Sequence, residues 1–198
     1  MKKKLIAATM VLFAACNQPS KELVTDIQPA ANTSFDEDKE KAAIMKVIEG
    51  ETECFFQRDY ECWRKHFVQS DYAFQAWNNS DGSIDTKSGW KEVDEKIKAY
   101  ISAPENKPDS KKSMGQEPGI KAKPSSHPKV IRKNIVYKFF TESLVYMMWD
   151  QYNSDPDELR YTFSKDCRIM EKVKGEWKIV NVTSYWDYKK SIPAESIK

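Results

Sequence analysis

Glu51 is a carboxylate set in the middle of an apolar stripe. Residues 36–59, "DEDKEKAAIMKVIEGETECFFQRD", have the apolar spacing of a helix. With Ile44 at zero and about 100° per residue, Ile48 falls at about 40°, Phe55 at about 20°, Val47 at about 300° and Glu51 at about 340°. A carboxylate in that position must meet a cation or a hydrogen-bond donor, or its pKa must rise. Two readings follow. In one, Glu51 is a pocket acid/base or a ligand anchor, because a raised pKa suits proton transfer near neutral pH. In the other it is satisfied internally, by Arg160, Arg168, His127 or a Tyr or Trp ring. Glu51→Gln separates them more cleanly than Glu51→Leu, which also alters packing.

The other chemistry-bearing residues are sparse. His66 and His127 are the only histidines. They are isolated from each other and no cysteine spacing resembles a zinc site, so the sequence predicts no metal centre. His66 is expected at a helix surface or partly buried. His127 ends a long loop and is a ligand-binding candidate at a pocket rim. Cys54 and Cys62 lie eight residues apart. On one straight helix that separation is about 12 Å, too far for a disulfide, so only a break between them would allow pairing. They are expected to be buried, reduced thiols, as is Cys167. Trp77, Trp90, Trp149 and Tyr185 are the aromatics placed to line a pocket, although Trp90 lies on a helix face that reads as core. No phosphate loop, dinucleotide fingerprint or nucleophile elbow is present, and no cofactor is expected.

The elements that must position these groups can be read in order. Asp36 or Asp38 caps the first helix, and acidic residues crowd its first turn. Asp59 caps a shorter second helix, "YECWRKHF", with Trp63 and Phe67 facing inward. "DYAFQAWNN" alternates as a strand, and Asp81-Gly82 is a turn. Ser88 is expected to cap a third helix carrying Trp90, Val93, Ile97, Tyr100 and Ile101 on one face. Residues 103–128 contain five prolines, two glycines and five lysines and read as a long, loosely ordered loop. Four strand-like segments follow, joined by short turns at Thr141-Glu142, "SDPDE" and Lys174-Gly175, so neighbours run antiparallel. Helices first and a long antiparallel meander after them give an α+β class, with helices packed on one face of a curved sheet.

The N-terminus carries a different signal. Lys2, Lys3 and Lys4 precede the apolar run Leu5–Ala15, which is too short to span a bilayer. The stop at Ala14-Ala15-Cys16 resembles a bacterial lipoprotein signal, in which the cysteine is lipidated and becomes the first mature residue. Phe13 stands where such signals usually have Leu, and an ordinary signal peptide cut after Ala15 is the alternative. The lipoprotein resemblance implies a membrane-anchored protein of the bacterial cell envelope, on the outer membrane in a Gram-negative cell because Asn17 is not Asp. Residues 16–35 read as a tether, residues 36–190 as one domain and 191–198 as a tail. Loss of residues 1–15 removes three lysines and leaves 29 basic against 30 acidic groups. The remaining charge gives no field for nucleic acid.

Three stretches together carry a further resemblance: "IMKVIEGETECFFQRDYECWRKHF", "GSIDTKSGW" and "RIMEKVKGEWKIVNVTSYW". In this order they resemble the nuclear transport factor 2-like superfamily, which includes ketosteroid isomerase-like and SnoaL-like proteins, over residues 38–188. The resemblance implies a cone: a bent sheet wrapped around a long helix, with a pocket at the open end. It also implies pairing of two copies through the convex sheet face. The isomerases of the superfamily use an Asp base with Tyr and protonated Asp donors. Neither Tyr60 nor Asp150 carries those roles over, and the fold alone does not fix an activity. The expectation is therefore an anchored domain that binds a small, largely apolar ligand or serves as an accessory module. A proton-transfer isomerase or hydrolyase centred on Glu51 is the alternative, and a protein-interaction module using the convex sheet is the third.

Overall fold

The computed structural model describes residues 35–104, 128–155 and 158–197. The expected signal segment, Cys16, all of the expected tether but Phe35, His127 and nearly all of the long loop lie outside these residues. Phe35–Lys198 is one compact unit. Among the described residues no helix is long and apolar enough to cross a membrane.

α1 spans Glu37–Phe56 and starts at Asp36, whose carboxylate accepts the Lys39 N–H at 3.1 Å. The acidic first turn lies at the positive end of the helix dipole. Its buried stripe is Ile44, Ile48, Glu51 and Cys54. α2, Tyr60–Arg64, is capped by Asp59 as expected, and Trp63 and Phe67 are buried. Between the two helices Arg58 takes a φ of 60°, a left-handed step that turns the chain sharply. That step brings Cys54 and Cys62 to a Cα–Cα distance of 5.5 Å and joins them in a disulfide. The expectation of two reduced thiols is therefore corrected. Cys167 is free and buried, as expected.

β1 (Phe74–Asn78) and β2 (Ile84–Ser88) form a hairpin around the Asp81-Gly82 turn. α3 covers Trp90–Ser102. Its N-cap is Gly89, not Ser88: Gly89 has a φ of 82°, and the Ser88 N–H is instead accepted by the Glu92 carboxylate at 3.1 Å. Val93 and Ile101 of α3 are buried, Trp90 and Ile97 pack against the core, and Tyr100 stacks on Phe55.

β3 (Val130–Thr141), β4 (Leu144–Ser154), β5 (Arg160–Val173) and β6 (Glu176–Pro193) make the antiparallel meander. The full order is β2-β1-β6-β5-β4-β3. Among the described strands only the β1–β6 junction is parallel, so the sheet is mixed. The segment after α2 continues this junction: the Ile179 N–H donates to the His66 carbonyl and the Val68 N–H to the Ile179 carbonyl. One end of the helix-facing side is apolar. There Val145, Met147, Met170, Ile179 and Trp177 pack against Ile44 and Ile48 of α1. Each such buried side chain contributes about 1.5–3 kcal/mol. Glu40 fixes the start of α1 to this end, accepting from Trp177 Nε1 at 2.6 Å and pairing with Lys172 at 2.6 Å.

Candidate functional site

The other end of the helix-facing side is polar, because β4 and β5 change character along their length. On β5 the inward residues run Met170, Arg168, Asp166, Ser164, and on β4 Val145, Met147, Trp149, Gln151, Asn153. The register sets Trp149 opposite Asp166 and Met147 opposite Arg168. Alternation on pleated strands therefore gathers these groups on one face.

Arg132 joins them by a different route. Lys133 pairs with Asp150 and Val136 with Met148, so β3 carries one extra residue between them. Asn134, with a φ of 53°, sits in this bulge and donates to the Asp150 carboxylate at 2.6 Å. The extra residue reverses the alternation. Tyr137, at an odd position, and Arg132, at an even one, consequently face the same side. Arg132 Nη2 donates to Thr52 Oγ1 of α1 at 2.7 Å.

The centre of the cluster is Asp166, which is 1% exposed. It accepts from Ser164 Oγ at 2.6 Å, Ser184 Oγ at 2.9 Å and Arg168 Nη2 at 3.2 Å. Arg168 also donates to the Cys167 carbonyl at 2.8 Å. Trp149 is fully buried, and the guanidinium carbons of Arg168 and Arg132 lie 5.0 and 5.8 Å from its ring centre. Cation–π attraction helps hold both arginines over the ring. Burial, then the like charge of Arg168, lowers the proton affinity of Arg132. The Nε atoms of both arginines and Nδ2 of Asn153 are buried without a hydrogen-bond partner among the described residues. Such donors are costly to leave unmade.

Glu51 faces this cluster from α1. It is buried, and its Oε1 accepts from Trp63 Nε1 at 2.9 Å. Burial raises its pKa; the Arg168 charge and the Trp63 bond oppose that rise, with a smaller contribution from Arg132. Of the donors anticipated for Glu51, a Trp ring and Arg168 are those that act on it. Arg160 instead bonds Ser191 at the far end of β5, and His127 lies outside the described residues.

The anticipated aromatics separate. Trp149 is at the centre of the cluster. Trp77 of β1 pairs with Ser184 in the parallel register and lies 5.7 Å beneath Lys96 of α3, so it faces the helices at the edge of the cluster. Trp90 stacks on Trp63 at 6.0 Å and belongs to the aromatic core. Tyr185 lies on the outer face and is 55% exposed, so it is not part of this cluster. Sequence reasoning missed Asp166, Ser164, Ser184 and Arg132. The first two sit at alternate positions with Arg168 in "SKDCR", which is the signal that could have found them.

No family model matches the sequence, and no curated protein matches it. Solved structures do match in fold. An NTF-2-like protein of unknown function from Shewanella oneidensis superimposes with a TM-score of 0.50 at 15% identity, covering 74% of this chain and 98% of that one. The association domain of C. elegans CaMKII gives a TM-score of 0.51 at 14% identity, covering 76% and 98%. The chain has the NTF-2-like fold, an α+β cone of six strands and N-terminal helices.

Proposed function

We propose that this chain binds a small organic acid, its carboxylate received by Arg132 and Arg168 within the cone. The observation that carries the reading is the pair of buried guanidiniums with unpartnered Nε donors. Asp166 is the direct ionic partner of Arg168 and is already bonded to two serines, whereas the partner of Arg132 is the Thr52 hydroxyl. Glu51 is the other buried carboxyl of the cluster, and burial disfavours its charge. Two cations thus face one committed anion, and a ligand carboxylate would supply the missing acceptors. The fold class suits such a role, since cones of this kind enclose a space that a mainly apolar ligand can fill.

The test compares 2-naphthoate with uncharged 2-naphthalenemethanol on the full chain by calorimetry. A charge-assisted bond contributes about 1.5–3 kcal/mol, so the acid should bind about 10- to 100-fold more tightly. Arg168→Gln and Arg132→Gln should each erase most of that difference. Equal affinity for acid and alcohol in the native chain overturns the proposal.

The enzymatic alternative has its own support in Glu51, a buried carboxyl of raised pKa beside a cation. Proton transfer would run through its Oε2, with Arg168 stabilising charge on the substrate. Glu51→Gln that retains binding but loses turnover of a bound acid would favour this reading. Anchoring through lipidated Cys16 is proposed from the sequence pattern alone, and the mass of the mature N-terminal peptide tests it. Pairing of two copies through the outer sheet face, where Tyr185 and Val136 are exposed, is tested by native mass spectrometry.

A further inference from the structure

The break between α1 and α2 gathers a third residue at the disulfide. His66 lies in the turn that leaves α2, two residues past its last helical residue Arg64. Its Nε2 is 3.7 Å from Cys54 Sγ. The two sulfurs and a ring nitrogen of His66 all lie within 4.8 Å of one another. Gly50 makes this approach feasible. A Cβ there would lie 2.8 Å from His66 Cε1, so a larger residue would push the imidazole off α1. We infer that Cys54, Cys62 and His66 form a redox-gated site for zinc(II), closed while the disulfide is intact and opened by its reduction.

The geometry fits that ion. In a tetrahedral site with Zn–S of about 2.3 Å and Zn–N of about 2.0–2.1 Å, sulfur and nitrogen ligands stand about 3.6 Å apart. The observed Cys54–His66 separation of 3.7 Å already matches. The sulfurs need only relax apart once their bond is broken. Two Cys and one His are a known type of three-residue zinc set whose fourth position holds water. The spacing C-x7-C-x3-H shows no zinc signature in sequence, because Cys54 comes from α1, Cys62 from α2 and His66 from the turn after it.

The reduction balances with a small-molecule thiol, RSH, as reductant. Two RSH supply two electrons and two protons to the Sγ–Sγ bond, giving the Cys54 and Cys62 thiols and RSSR. Zinc(II) then displaces one proton from each sulfur and forms two Zn–S bonds.

Cobalt(II), a coloured stand-in for zinc(II), is the probe. The full chain is used in a Cys16→Ser, Cys167→Ser background, so that every thiolate signal comes from the pair. Oxidised protein should give no thiolate-to-cobalt charge-transfer band. After reduction and removal of the reductant under nitrogen, one equivalent of cobalt(II) should bind with that band and with visible bands of tetrahedral intensity. Zinc(II) should displace it. His66→Asn should weaken binding by more than the about 10- to 100-fold that loss of an outer-shell contact costs. Circular dichroism and thiol counting accompany each titration. A folded protein with two free thiols and no charge-transfer band overturns the inference. So does a band unchanged by His66→Asn, or unfolding on reduction.

Discussion

Replacing Glu51 by Gln should remove one specific slope from the pH dependence of stability. Gln keeps the side-chain shape and can still accept from Trp63 Nε1, but it cannot ionise. Glu51 has a folded-state pKa above its ordinary 4.5, chiefly because it is buried. Between the unfolded value and that higher folded value, the folded chain binds more protons at this carboxyl than the unfolded chain does. Stability contributed by Glu51 is therefore fully present below about pH 4.5 and is lost as pH rises through the folded pKa. Inside that window one proton is at stake, so the loss approaches about 1.4 kcal/mol per pH unit. Above the window the difference is constant. The assay is urea unfolding of wild type and Glu51→Gln, followed by tryptophan fluorescence from pH 4.5 to 8. Subtracting the two curves cancels every other titrating group. The wild type should lose ground to the variant as pH rises, then level off. A flat difference over the whole range would refute the assignment, and a difference that rises with pH would mean that Arg168 and Trp63 outweigh burial.

Trp63→Phe should cost about 1–3 kcal/mol by stranding the buried Glu51 oxygen, and NMR of the Glu51 carboxyl carbon should show its pKa moving higher still. Asn134→Val should cost about 1–2 kcal/mol because a branched side chain resists the left-handed backbone. Asn134→Gly should cost less in the same urea assay. Tyr60 is pushed up to about 12 by burial and by its bond to the Asp94 carboxylate at 2.5 Å. The folded chain therefore loses stability as pH climbs from 10 through about 12, and Tyr60→Phe should flatten that loss in alkaline unfolding. Gly50→Ala should displace the His66 ring, read as a shift of its Cε1 proton resonance.

The helices were legible in sequence because their signals are local. Asp36 and Asp59 cap by side chains that face the helix starts, and the buried Glu51 followed from the 3.6-residue period alone. β2 was not legible as a strand: "IDTKS" is polar and lies at the sheet edge, with Ile84 70% exposed, so it lacks the half-buried alternation that marks a strand. Ser88 looked like a cap because Ser often is one, but Gly89 takes that place with a backbone angle open to glycine. The disulfide depended on Arg58 adopting a left-handed φ, which nothing in an Arg side chain announces. The site was legible by halves. Arg168 emerged as a partner for Glu51, whereas Arg132 could not, since counting back from Tyr137 in steps of two reaches Lys133 and puts Arg132 outside. Only the bulge at Asn134 brings it in, and Asn is a residue that tolerates such a backbone.

That bulge also makes the strand sensitive to phase more than to length. Lys133 pairs with Asp150 in register, and Asn134 beside it reaches the same residue through its side chain. Deleting Asn134 would leave a regular strand on which Arg132 still meets Gln151 and still faces the helices. Straightening the strand at constant length would instead slip its first half by one position, turning Arg132 outward and Lys133 inward. The cone would then hold an ammonium in place of a guanidinium: a point charge where there had been a planar fork able to grip both oxygens of an acid. A change of backbone shape at one residue would thus act on the chemistry as an Arg-to-Lys exchange, with neither residue mutated.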